Sequence, residues 1–114
     1  MDLITPELRS ALATQFPLGS QESRGYCAKV LVKFSSAAGR YTFLATEAKE
    51  RRGDIVFFGF AVSPRGPNCD EWAFVTLSEL ERTRFRGVPV ERDPYLPFAT
   101  LTVADLLASL SKSA

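Results

Sequence analysis

Histidine is absent from this 114-residue chain. That removes the side chain most used for proton transfer near neutral pH, and the commonest metal ligand. Serine–histidine and cysteine–histidine nucleophiles are excluded, as is any histidine-ligated zinc site. Cysteine is almost as scarce: Cys27 and Cys69 are too few and too far apart for a thiolate cluster. Cys27 lies in an apolar, alternating run and reads as a small core residue, whereas Cys69 lies in a loop rich in proline and glycine and reads as exposed. Two free thiols are expected rather than a disulfide, because no secretory signal is evident and a chain of this length needs no staple.

No apolar run approaches the ~20 residues that span a bilayer. The opening Met1-Asp2-Leu3-Ile4-Thr5-Pro6-Glu7 is acidic and breaks early, unlike a signal or transit peptide, so a cytoplasmic protein without membrane contact is expected. Neither sign of charge dominates. Fourteen cations against thirteen anions give a net charge of +1 and no global field to draw nucleic acid. No glycine-rich phosphate loop is present. The expectation is a protein that needs neither metal nor cofactor.

What is present reads as one domain over residues 1–114. Thr5-Pro6-Glu7-Leu8 opens a helix: Thr5 caps it, Pro6 suits the first helical position, and Glu7 favours the positive end. Leu8, Ala11 and Leu12 form its apolar stripe, and Pro17 and Gly19 end it. From Tyr26 the period changes to two, with Ala28, Val30, Val32 and Phe34 alternating in a first strand. After the turn at residues 35–39, Tyr41, Phe43 and Ala45 alternate in a second. Lys49-Glu50-Arg51-Arg52-Gly53-Asp54 reads as a charged turn. Ile55 to Val62 is apolar at both parities and reads as a central strand covered on both faces. Gly59 within it marks a bulge or a close backbone approach.

Ser63 to Asp70 is an irregular loop, and Glu71 to Val75 forms a fourth strand carrying the only tryptophan. Thr76-Leu77-Ser78-Glu79 has capping-box spacing and starts a short helix. Arg84 to Thr100 reads as an extended surface wrap with three prolines. Thr102-Val103-Ala104-Asp105 repeats the capping pattern, and Val103, Leu106, Leu107 and Leu110 give the last helix its stripe. The expected fold is α+β: a four-stranded, mainly antiparallel meander flanked by N- and C-terminal helices, with one short internal helix.

Four sets of residues are candidates for function. Two of Glu79, Glu91 and Asp93 form an acid–base pair or magnesium site on one reading. On the other, Glu79 closes a helix cap, and Glu91-Arg92-Asp93, held extended by Pro89 and Pro94, is a structural clasp. In the clasp, Arg92 bonds the body of the domain, while the two acids reach arginines or helix-end amides. Arg82, Arg84, Phe85 and Arg86 form the strongest positive cluster, suited to phosphate, bases or an acidic protein surface. The alternative for them is a solvated helix end. The strand aromatics Tyr41, Phe43, Phe57, Phe58, Phe60, Trp72 and Phe74 read as core, with an exposed Trp72 the exception of interest.

Five segments together resemble a known family: Leu3 to Arg9, Tyr41 to Glu47, Phe57-Phe58-Gly59, Glu71 to Glu81, and Val88 to Asp93. Over about Leu3 to Leu107 the chain is similar to the domain-of-unknown-function family numbered 2958, whose members are often labelled plasmid-related. It departs from the family pattern where tryptophan is usual (Tyr41, Phe43), where glycine is usual (Ala73), and where an aromatic is usual (Leu96). The resemblance implies no activity. It implies a setting on plasmids, conjugative elements and phages. The resulting expectation is a non-catalytic protein of a mobile element that binds a host protein complex, such as CRISPR or restriction machinery. The alternative is a nucleic-acid-binding accessory protein using the arginines at 82–86.

Overall fold

A computed structural model describes residues 3–113. Met1, Asp2 and Ala114 lie outside the described residues, and with them the start of the acidic opening segment. Helix α1 spans Pro6–Gln15, with the Thr5 hydroxyl accepting from the Leu8 amide at 3.1 Å and Pro6 in the first turn. A short 3-10 segment, Glu22–Cys27, follows. Four strands then form a meander: β1 Val32–Ser35, β2 Thr42–Arg51, β3 Asp54–Val62 and β4 Glu71–Thr76. Helix α2 covers Leu77–Arg82, β5 Arg84–Phe85, β6 Val88–Pro89, β7 Glu91–Arg92, and helix α3 Val103–Ser113.

The fold is α+β, with a mainly antiparallel sheet in the order β4-β3-β2-β1-β7, and β5 and β6 forming a separate hairpin. The fifth strand is supplied by Glu91-Arg92, which pairs antiparallel with β1 through Phe34↔Arg92 and Ser35↔Glu91. The surface wrap is therefore less extended than its prolines suggest. Its first half is a hairpin turning on Arg86 and Gly87, both at positive φ as a two-residue I′-like turn requires.

Several local readings are corrected. The first strand begins at Val32, not Tyr26, because Tyr26 and Cys27 belong to the 3-10 segment, and Cys27 is exposed rather than core. Residues 28–31 run instead between two neighbours. Val30 N–H donates to Leu101 O at 2.8 Å, and Leu31 N–H donates to Ala45 O at 2.8 Å. The charged residues 49–51 continue β2, and the turn is only Arg52-Gly53. Charge there marks the exposed end of a strand, where Arg9 of α1 donates to the Glu50 carboxylate and to Gly53 O, not the turn itself. Strand β3 lies second from the edge, and its outer half is not covered on both faces.

Two hydrophobic layers flank the sheet. On one face Phe34, Phe43 and Phe57, each buried, pack with Leu12 of α1 and with Leu77 and Leu80 of α2. Each fully buried phenylalanine contributes about 1.5–3 kcal/mol. On the other face Val30, Leu44, Phe60 and Val62 pack with Val103 and Leu106 of α3. Both inner helices have the expected reciprocal caps. Thr76 accepts from the Glu79 amide while Glu79 accepts from the Thr76 amide; Asp105 and Thr102 do the same for α3. Among the described residues no helix is long and apolar enough to cross a membrane.

Tyr41 stacks on Phe85 with ring centroids 5.2 Å apart, fastening the hairpin to the first layer. Burial foremost, then the negative charge of Glu79, pushes its phenol up to about 12. The folded state therefore holds this proton where the unfolded chain, near 10, has lost it. Stability from this group is complete below about pH 10 and disappears as pH rises toward 12. A melting temperature followed across that window falls more steeply for the natural protein than for Tyr41→Phe; parallel curves would refute the assignment.

Candidate functional site

The second face of the sheet is only partly covered. Antiparallel register sets Phe60 opposite Trp72 and Phe58 opposite Phe74, so four aromatic side chains share this face. Helix α3 covers the Phe60 end. Toward the β4 edge the cover is the 3-10 segment, which contributes Tyr26. Its ring lies 5.6 Å from both Phe60 and Trp72. Phe58 stacks on Trp72 at 5.7 Å and 11°, and Phe74 lies 4.9 Å from Phe58. Beyond Phe58 the cover ends. Phe74 is 65% exposed and Tyr26 51% exposed, while Trp72 is half-buried between them.

Beside this surface an open cavity of about 300 Å³ is lined by Gln21, Glu22, Gly25, Ala28, Thr46, Phe58 and Trp72. Its floor is a polar arrangement that the sequence did not disclose. The β2–β3 register slips between Ala45 and Glu47, leaving Thr46 outside the ladder. The Thr46 hydroxyl donates across to Phe58 O at 3.2 Å, and the Thr46 carbonyl is taken by the Gln21 side chain, 2% exposed. Its Nε2 donates to Thr46 O at 2.6 Å and to Lys29 O at 2.9 Å, and its Oε1 accepts from Lys29 N–H at 2.7 Å. Arg24 also reaches that oxygen, at 3.4 Å. The Glu47 carboxylate, 3% exposed, accepts from the amides of Gly19 at 2.6 Å and Gln21 at 3.0 Å. These bonds pin the covering segment to the sheet and keep the cavity's shape. They are scaffold, since the Glu47 oxygens are directed at backbone amides. A glutamate at the apolar end of a strand pattern was the only available signal.

The candidates named from sequence lie elsewhere. Glu79 closes the α2 cap. Arg92 donates from Nε to Leu3 O at 2.8 Å, tying β7 to the chain start. Asp93 accepts from the Tyr95 amide at 2.8 Å, and Glu91 is exposed, its carboxylate making no hydrogen bond among the described residues. The triplet thus joins the body of the domain through Arg92, while neither acid reaches an arginine or a helix-end amide: the clasp is half of what was expected. Replacing Arg92 with alanine removes a charge-assisted bond to a half-buried carbonyl, and about 1–3 kcal/mol of stability is expected to go with it. Urea midpoints for Arg92→Ala and the natural chain check this; coincident midpoints would make the bond energetically idle.

The arginine cluster is divided among three tasks. Arg82 faces Asp54, helping to lower its carboxyl, although the Ser78 hydroxyl contributes most to that shift. Arg84 donates to the carbonyls of Glu81 and Thr83 at 2.8 and 3.0 Å, closing the end of α2. Phe85 packs inward on Tyr41, and only Arg86, at the hairpin tip, projects without a partner among the described residues. No three of Cys, Asp and Glu gather into a metal-holding group among the described residues.

No curated protein and no solved structure matches the chain. A family model does: the one described as protein of unknown function (DUF2958) matches residues 3–111. The match takes in every described strand, α1, α2 and most of α3, and so covers the aromatic surface and its scaffold together. The chain belongs to the DUF2958 family.

Proposed function

We propose that this protein acts by binding another protein, without catalysis, and that its recognition surface is the aromatic face formed by Tyr26, Phe58, Trp72 and Phe74. The observation that carries this reading is Phe74, a large apolar ring 65% exposed within a contiguous aromatic group on a rigid sheet. A lone exposed apolar residue is ordinary; a cluster beside a shaped cavity is the usual form of an interaction site. Aromatic anchors of this kind supply most of the energy in many interfaces. The resemblance to proteins of plasmids, conjugative elements and phages gives the partner a concrete form: a host assembly, such as a CRISPR or restriction complex, that the protein restrains from a cytoplasmic setting.

Nucleic acid is the second reading, because exposed rings on an antiparallel sheet also stack bases. The dispersal of Arg82, Arg84 and Arg86 leaves no phosphate-binding strip among those three. A salt titration separates the two, since phosphate contacts give a steep counterion-release slope and an aromatic protein interface does not.

The decisive comparison is capture of partners from the native host by the natural chain, by Phe74→Ala and by Arg86→Ala. Phe74→Ala is expected to keep its folding stability within about 1 kcal/mol, since most of the ring is in solvent already. It is expected to lose the partner, while Arg86→Ala retains it. A partner that stays on Phe74→Ala but leaves on Arg86→Ala would move the function to the hairpin tip.

A further inference from the structure

Strand β4 is an edge strand, paired on one side with β3 and on the other with nothing among the described residues. None of its six residues is buried. Its pairing with β3 runs from Ala61↔Glu71 to Val56↔Thr76 without a register slip, so the edge is not broken by a bulge. It contains no proline and no lysine. Natural proteins normally protect such an edge, because a row of free amides and carbonyls invites another strand. The opposite edge follows that practice: β7 is only two residues long and is closed by Asp93 and Pro94. The separate hairpin has Pro89. The β4 edge is six residues long, and its one charged side chain, Glu71, stands at the end of the strand.

We propose that this edge pairs with β4 of a second copy of the chain, antiparallel, about a two-fold axis at Ala73. The strand's own sequence identifies the occupant. With Ala73 on the axis, Trp72 stands opposite Phe74 of the second copy and Phe74 opposite its Trp72, which are favourable cross-strand pairs. Glu71 stands opposite Val75, so no like charges meet. The other side of the paired strands carries the small Ala73 and Val75, which lets the copies approach. An axis at Phe74 instead sets Trp72 opposite Thr76 and keeps a single aromatic pair, Phe74 with Phe74 of the second copy, in place of two. An isologous contact of this kind closes on itself and leaves no new edge.

The resulting ten-stranded sheet is continuous on both faces. On the aromatic face, the row Phe60–Trp72 of one copy continues into Phe74–Phe58 of the other, and the reverse. Pairing is argued from the free edge and not from partner binding, although Phe74 and Trp72 take part in both: two copies present one enlarged aromatic surface.

Sedimentation equilibrium on the natural chain is expected to give twice the monomer mass of 12.6 kDa. Ala73→Lys places two ammonium groups against each other at the axis and is expected to weaken association about tenfold. The register is checked by disulfide trapping after replacing both exposed cysteines, as Cys27→Ser and Cys69→Ser. In that background Ala73→Cys is expected to cross-link readily on mild oxidation. Glu71→Cys, distant from its counterpart, is expected to remain monomeric on a denaturing gel. Cross-linking at position 73 needs no disruptive change, so it decides the matter even if Ala73→Lys folds poorly. A chain that remains monomeric at high concentration, or a dimer that cross-links equally at 71 and 73 or at neither, overturns the proposal.

Discussion

Gly59→Ala is expected to be among the most damaging single substitutions in this protein, costing about 3 kcal/mol or more, the upper range for forcing atoms into a packed interior. A Cβ at this position stands 2.0 Å from the backbone oxygen of Leu44 and 2.8 Å from Cα of Ala45. Neither atom belongs to a side chain that can swing away. The glycine is needed not for a turn, since its φ is ordinary, but because β2 presses against it where the ladder slips past Thr46. One added methyl group must push the two longest strands apart, and with them both hydrophobic layers. Denaturant unfolding of Gly59→Ala measures this directly. A loss below about 1 kcal/mol would mean that the strands separate at little cost.

Gln21→Ala is the second. It leaves Lys29 N–H, Lys29 O and Thr46 O without their partner in the protein interior. Buried groups stranded in this way cost about 1–3 kcal/mol each when no water reaches them. The cavity beside Gln21 admits some water, so a total of about 3 kcal/mol is expected. Gln21→Leu separates the two causes, because leucine keeps most of the volume and makes none of the bonds. If lost hydrogen bonds are responsible, both variants unfold at similarly lowered denaturant concentrations. If Gln21→Leu matches the natural chain, the residue serves only to fill space. Either substitution also loosens the 3-10 segment that carries Tyr26, so the partner-binding surface should weaken along with stability.

Much of the local structure was legible because it depends on neighbours in sequence. The Thr5 and Thr76 caps, the acid three residues after Thr76 and Thr102, and the stripe of Val103, Leu106 and Leu110 are short-range patterns, and each produced the helix it signals. The alternation in β1, β2 and β4 likewise gave an antiparallel sheet in chain order. Gly59 announced a close approach, and Ala45 and Leu44 supply it. The errors lie where two distant segments compete. Cys27 alternates correctly for a strand, yet the chain at 22–27 curls into a 3-10 turn, because Gln21 and Glu47 fasten the preceding residues across β2. The arginines at 82–86 form a cluster in sequence only. A helix end, a hairpin turn and an inward phenylalanine direct them apart.

The sequence by itself determined the class of fold, the caps, the apolar faces and the absence of histidine chemistry, since these depend on composition and on periods of two and 3.6. Parity within a strand also set Trp72 and Phe74 on one face, while the β3–β4 register brought Phe58 and Phe60 to that same face. Whether that shared face is core or surface was decided only in the tertiary structure. Helix α3 covers Phe60, while the segment at 21–27 stops short of Phe74. Cover depends on where elements distant in sequence come to rest, and the same alternation of apolar residues serves a buried face and an exposed one equally well.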